Sequence, residues 1–93
     1  MTKVIMDIHE DGSIFFDCEN HSDDYDVCTI VSTLCNVLVV ASNRANFEPT
    51  EYKPGHVRIY IPKAEYPLIE TFRAVEDTLK EVQKQNPKYV KIY

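Results

Sequence analysis

The segment from Val27 to Asn43 constrains the fold more than any other. Val27, Ile30, Val31, Leu34, Leu38 and Ala41 recur at three- and four-residue spacing, the period of an amphipathic helix. Asp23, Asp24 and Asp26 just before them offer helix-capping carboxylates. The other side of this helix carries Cys28, Cys35, Val37 and Val40, so it is apolar nearly all round, and such a helix is usually buried on more than one side. A chain of 93 residues has room for one modest core. We expect one domain, residues 1–93, with a second subunit of a homodimer covering part of this helix.

The rest of the chain supplies the surface for it to pack on. Val4, Met6 and Ile8 alternate with Lys3, Ile5, Asp7 and His9, and after Asp11-Gly12 a second alternation sets Ile14, Phe16 and Cys18 against Ser13, Phe15 and Asp17. This predicts a β-hairpin with a tight turn, in which both Asp11 and Gly12 take positive φ. A short strand near Glu48–Tyr52 leads to Pro54-Gly55, the central pair of a type II turn, and then to a strand with Val57, Ile59 and Ile61 inward. Pro67 opens a second helix whose stripe is Leu68, Phe72, Val75, Leu79 and Val82, with Glu expected early and Lys late. Asn86-Pro87 ends it, and "KYVKIY" forms a last strand. The order ββαββαβ predicts an α+β two-layer domain, a mostly antiparallel sheet with both helices on one face.

Composition removes several functions. The net charge of −5 disfavours a nucleic-acid partner, because phosphate-backbone affinity comes mainly from Lys and Arg, and without a basic groove the six tyrosines are better read as packing surface. The N-terminal "MTKVIMDIHEDG" lacks an apolar stretch of signal-peptide length, and no apolar run in the sequence approaches a membrane span. A cytoplasmic protein, not a membrane protein, is expected. No glycine-rich phosphate loop is present, so no nucleotide or other cofactor is expected.

The three cysteines form no disulfide framework, and in a reducing compartment each thiol needs its own explanation. Cys28 and Cys35 stand about 10 Å apart along a helix axis, too far to share one metal ion, so no metal site is expected. Cys18 continues the inward face of Ile14 and Phe16, and Cys35 reads as a buried thiol. His9 and His56 fall at outward strand positions and read as surface residues. Cys28 differs because it lies in the first turn of the helix, with His21 in the loop just before it. A helix N-terminus and a nearby imidazolium both favour a nucleophilic thiolate. Asp23, Asp24 and Asp26 oppose that charge, unless one of them orients His21. The residues alone allow two readings, a small buried hydrophobe or a nucleophile. Ser32, one turn on, is either a helix-face hydroxyl or a supporting partner of Cys28.

The stretch "YDVCTIVSTL" resembles the signature of the ribosomal-processing cysteine protease family, Prp, a Gly-His-Ala turn and a glycine-containing loop followed by a run like D-I-V-C-A-A-V-S-A-L. Cys28, Ser32 and Leu34 match that run and His21 stands in place of the family histidine. The likeness continues through "GHVRIYI" from Gly55 and the ending "NPKYVKIY". It implies a homodimeric cysteine endopeptidase that removes a short N-terminal extension from a large-subunit ribosomal protein, or acts on a phage structural protein. Cys28 would be the nucleophile and His21 the general base and acid, supported by Ser32 and Asp26. Asn20, Ser22, Asp23, Asp24 and Tyr25 would form the substrate loop. Asn20 replaces the glycine before His, Ser22 replaces the alanine after it, and the loop is shorter and lacks glycine. The alternative is an inactive dimeric module of the same fold that captures a basic peptide through its aspartates.

Overall fold

The computed structural model describes all residues, Met1–Tyr93. Strands β1 (Thr2–Ile8) and β2 (Ile14–Glu19) are followed by helix α1 (Tyr25–Arg44), strands β3 (Glu51–Lys53) and β4 (His56–Ile61), helix α2 (Tyr66–Gln85) and strand β5 (Val90–Ile92). The five strands form one sheet in the order β3-β4-β2-β1-β5. Every pairing is antiparallel except β1 with β5. The expected α+β order and two-layer arrangement are therefore present.

Strand alternation decides which face of the sheet is covered. Val4, Met6, Ile14, Phe16, Cys18, Val57, Ile59 and Ile61 are buried and meet Val27, Val31, Cys35, Leu38 and Val39 of α1 and Leu68, Phe72, Val75 and Leu79 of α2 in one apolar core. On α1 this buried stripe is rotated from the expected one. Cys35 joins the core while Ile30 is 44% exposed. By length and composition α1 would suffice to cross a bilayer, but its buried stripe is a wall of this core.

Local chemistry fixes the element ends. Asp24 caps α1, its side chain accepting from the Val27 N–H at 3.0 Å. At the other end Asn46 takes φ 67°, and the N–H groups of Asn46 and Phe47 bond the carbonyls of Asn43 and Ser42, the left-handed closure that stops a helix. The first turn of α2 holds Pro67 but no acidic residue, contrary to the expected early Glu, while Lys84 lies in its last turn. The β1–β2 turn also departs from expectation. Only Gly12 has positive φ, at 91°, and the Gly12 N–H bonds the His9 carbonyl. Asp11 instead accepts from both the backbone N–H and the hydroxyl of Ser13, which holds its carboxyl below the usual range. The turn is thus a three-residue loop closed by a left-handed glycine. Strand β3 begins at Glu51, later than the sequence pattern suggested, because Pro49 has no N–H for the ladder and pairing starts with Thr50 N–H on the Arg58 carbonyl.

Phe72 is fully buried at the centre of the α2 stripe. Phe72→Ala is expected to cost about 3–5 kcal/mol, read as a lowered urea midpoint with an unchanged slope.

Candidate active site

The path from β2 into α1 places the two candidate residues. β2 ends at Glu19, and Asn20 turns the chain with φ 71°, a left-handed conformation that asparagine tolerates better than most residues. The turn is pinned from both sides. The Asn20 N–H bonds the Gly55 carbonyl at 2.8 Å, and the Thr2 hydroxyl bonds the Asn20 carbonyl at 3.1 Å. The Asp24 N–H then bonds the Ser22 hydroxyl, and Asp24 caps the helix. Cys28 completes the first turn, its N–H on the Asp24 carbonyl.

This short connection folds His21 back over Cys28, with His21 Nδ1 3.6 Å from Cys28 Sγ. The opposite edge of the ring lies against the β3–β4 turn. A methyl group on Gly55 would approach His21 Nε2 to 3.3 Å, and Gly55 itself has φ 82°. Glycine is thus required at 55 twice, for the expected Pro54-Gly55 turn and for the imidazole packed on it.

Behind the pair a groove of about 380 Å³ runs between α1 and the β3–β4 hairpin. Thr2, Cys18 and Val57 line it from the sheet, Cys28, Val31, Ser32, Cys35 and Asn36 from the helix, and Asn20, His21, Tyr52 and Gly55 from the rim. The structure therefore brings together His21, Cys28, Ser32 and Asn20. Of the other expected site residues, Asp26 is exposed and makes no hydrogen bond to His21, and Tyr25 is 83% exposed. Asp23 is exposed, while Asp24 and Ser22 build the loop and cap. None of these five lines the groove.

The other thiols are different in kind. Cys18 and Cys35 are buried and unpaired by disulfide. Cys35 donates its S–H to the Cys18 sulfur, and that bond together with burial pushes the Cys35 thiol well above the usual range.

His56 faces outward as expected but is not a free surface residue. On the open face of the sheet its Nε2 is 2.8 Å from Asp17 Oδ1 and 3.8 Å from Glu19 Oε1. Arg58 holds the second oxygen of Asp17 at 3.1 Å. These three potential metal ligands lie close together, yet Asp17 already has a cationic or imidazole partner on each oxygen. The cluster accounts for a buried carboxylate on an otherwise open face.

Sequence reasoning missed Gly55, Tyr52 and Asn36, which reach the site only through tertiary structure. The one available signal was the glycine of the predicted turn.

The fold and the site together define a class: a two-layer α+β domain with a Cys-His pair at a helix start, facing a groove. No protein-family model and no curated protein sequence matches the chain. Solved structures do match. The ribosomal processing protease Prp from S. aureus, in complex with a substrate peptide, superposes with a TM-score of 0.82 over 100% of this chain and 98% of that one, at 15% identity. The same protease with a covalently linked product peptide gives 0.81 over 99% and 97%, at 16% identity. SMU.848 from Streptococcus mutans gives 0.77 over 99% and 91%, at 21% identity. The fold of this chain is that of Prp along its whole length.

Two substitutions test how the pair is held. Asn20→Gly is expected to leave stability within about 0.5 kcal/mol, whereas Asn20→Val, β-branched at positive φ, is expected to lose about 1–3 kcal/mol in chemical denaturation.

Proposed function

We propose that the protein is a Prp-like cysteine endopeptidase, with Cys28 as nucleophile and His21 as its base and acid. The observation that carries this reading is the 3.6 Å approach of His21 Nδ1 to Cys28 Sγ at the mouth of a groove. That spacing is looser than a strong hydrogen bond, as is common for catalytic pairs without substrate. The similar S. aureus structures hold a substrate peptide and a covalently linked product peptide, which supports a peptide as the ligand of this groove.

The proposed steps use this pair alone. His21 takes the Cys28 proton as Sγ attacks the peptide carbonyl carbon, and then gives that proton to the leaving amine as the C–N bond breaks. The thioester that remains is hydrolysed by a water that His21 deprotonates, releasing the carboxylate and restoring the thiol. The N–H groups of Val27 and Cys28 are already bonded to Asp24. Those of Tyr25 and Asp26 remain uncommitted at the positive end of the helix, where an oxyanion is stabilised. No carboxylate orients His21, and Gly55 does so by packing instead.

The substrate we propose is the N-terminal extension of a large-subunit ribosomal protein, or a phage structural protein, processed in the reducing cytoplasm that three free thiols suit. The alternative, capture of a basic peptide by the aspartates, has less support. Asp24 is occupied as the cap, and no carboxylate lines the groove.

A peptide carrying such an extension is expected to be cleaved by the wild type. Cys28→Ala should abolish cleavage and His21→Ala should lower kcat/KM by roughly 10²–10⁴. Activity that survives Cys28→Ala would sink the assignment.

We further propose a homodimer that covers the outer side of α1, where Ile30, Val37 and Val40 are 42–48% exposed. Light scattering at micromolar concentration is expected to give twice the 10.8 kDa chain mass, and Val37→Glu should give the monomer. A wild-type monomer would contradict the dimer.

A further inference from the structure

The groove is bridged at the end remote from Cys28. Cross-strand register places Tyr52, Val57, Cys18 and Val4 in one row across β3, β4, β2 and β1. Val4, Cys18 and Val57 are buried under the helices, so Tyr52, at the open edge of the same row, rises towards α1. Its hydroxyl donates to Asn36 Oδ1 at 3.2 Å. Asn36 lies eight residues beyond Cys28, about 12 Å along the helix axis. The phenol ring thus spans from the edge strand to the helix and ends the groove there.

The walls between Cys28 and this bar are apolar or neutral. Val31, Val57, Cys18 and Cys35 form the floor. The only lysine, arginine or carboxylate on the rim is Lys53, which is paired with Glu51 at 3.4 Å.

Resting on the peptidase reading above, we propose that Tyr52, held by Asn36, is the specificity-determining residue of this groove. The space between Cys28 and the bar receives one uncharged side chain of the peptide, from the residue next to the scissile bond, and the Tyr52 ring sets its maximum length. Because Tyr52 is 58% exposed and held by a single neutral hydrogen bond, its removal leaves the core intact and changes the shape of the groove alone.

The probe is a series of N-acetyl dipeptidyl chloromethyl ketones in which the residue beside the reactive carbon runs from Ala through Leu and Phe to biphenylalanine. The readout is the rate of Cys28 labelling by mass spectrometry, divided by the rate with iodoacetamide, which carries no side chain. The wild type is expected to favour Leu over biphenylalanine by at least roughly tenfold, and Tyr52→Ala to bring that ratio close to one with its iodoacetamide rate unchanged. Tyr52→Phe and Asn36→Ala break the same bond. They should shift the ratio equally, part of the way, and without further change when combined. A ratio identical in wild type and Tyr52→Ala would overturn the assignment. Failure of every peptidyl reagent to label an iodoacetamide-reactive Cys28 would do so too. Side-chain-selective labelling without hydrolysis of any peptide would overturn the peptidase and support the groove. Hydrolysis with a profile indifferent to Tyr52 would do the reverse.

Discussion

The site depends on how abruptly the chain leaves β2 and enters α1. Five residues, Asn20 to Asp24, carry it from the sheet to a capped helix. The turn holds because the Asn20 N–H is tied to Gly55 and its carbonyl to Thr2. That tie brings β4's turn and β2's end together, and His21 is clamped between Gly55 and Cys28 as a result. Loops that close on glycine gain mobility at the expense of order. This one uses the Asn20 backbone, the Ser22 hydroxyl and the Asp24 cap to hold a single arrangement.

The same geometry separates three chemically identical side chains. Cys18 and Cys35 are nearly buried and share one hydrogen bond, and as its donor the buried Cys35 is held well above the usual thiol range. Cys28 sits at the surface of the groove, at the positive end of a twenty-residue helix and beside an imidazole. A helix start with an adjacent imidazole is the setting in which a cysteine serves as a nucleophile. The aspartates do less harm than their number suggests. Asp24 is directed at the helix N–H groups, and neither Asp23 nor Asp26 lines the groove.

Much of this was legible in the residues because it follows from local rules. Alternation in Val4–Ile8 and Ile14–Cys18 assigned the inward face of the sheet correctly, and the Leu68–Val82 stripe assigned α2. The sequence interval between His21 and Cys28 was compatible with contact, and contact is what the fold produces. Ile30 and Cys35 were exchanged between faces, because an α1 apolar on nearly every side has no polar stripe to mark its rotation. The Asp11-Gly12 turn was misread because an Asp-Gly pair fits several loop lengths, and the Ser13 bonds that select one arise only in the folded turn. Asn20 is explained by its backbone, since asparagine is the next residue after glycine that a left-handed turn accepts. His56, Gly55 and the Tyr52–Asn36 bridge were beyond local rules, because each acquires its partners from strands or helices distant in sequence.

The central claim is that His21 and Cys28 act as one chemical unit. It is tested most directly by iodoacetamide alkylation of the native protein across a pH series, resolved by mass spectrometry for Cys18, Cys28 and Cys35 separately and repeated in His21→Ala. Cys28 is expected to react much faster near neutral pH than Cys18 and Cys35, the nearly buried thiols of the groove floor, and its rate there is expected to fall roughly tenfold or more without the imidazole. A Cys28 as inert as Cys18 and Cys35, or one whose rate ignores His21, would contradict the claim.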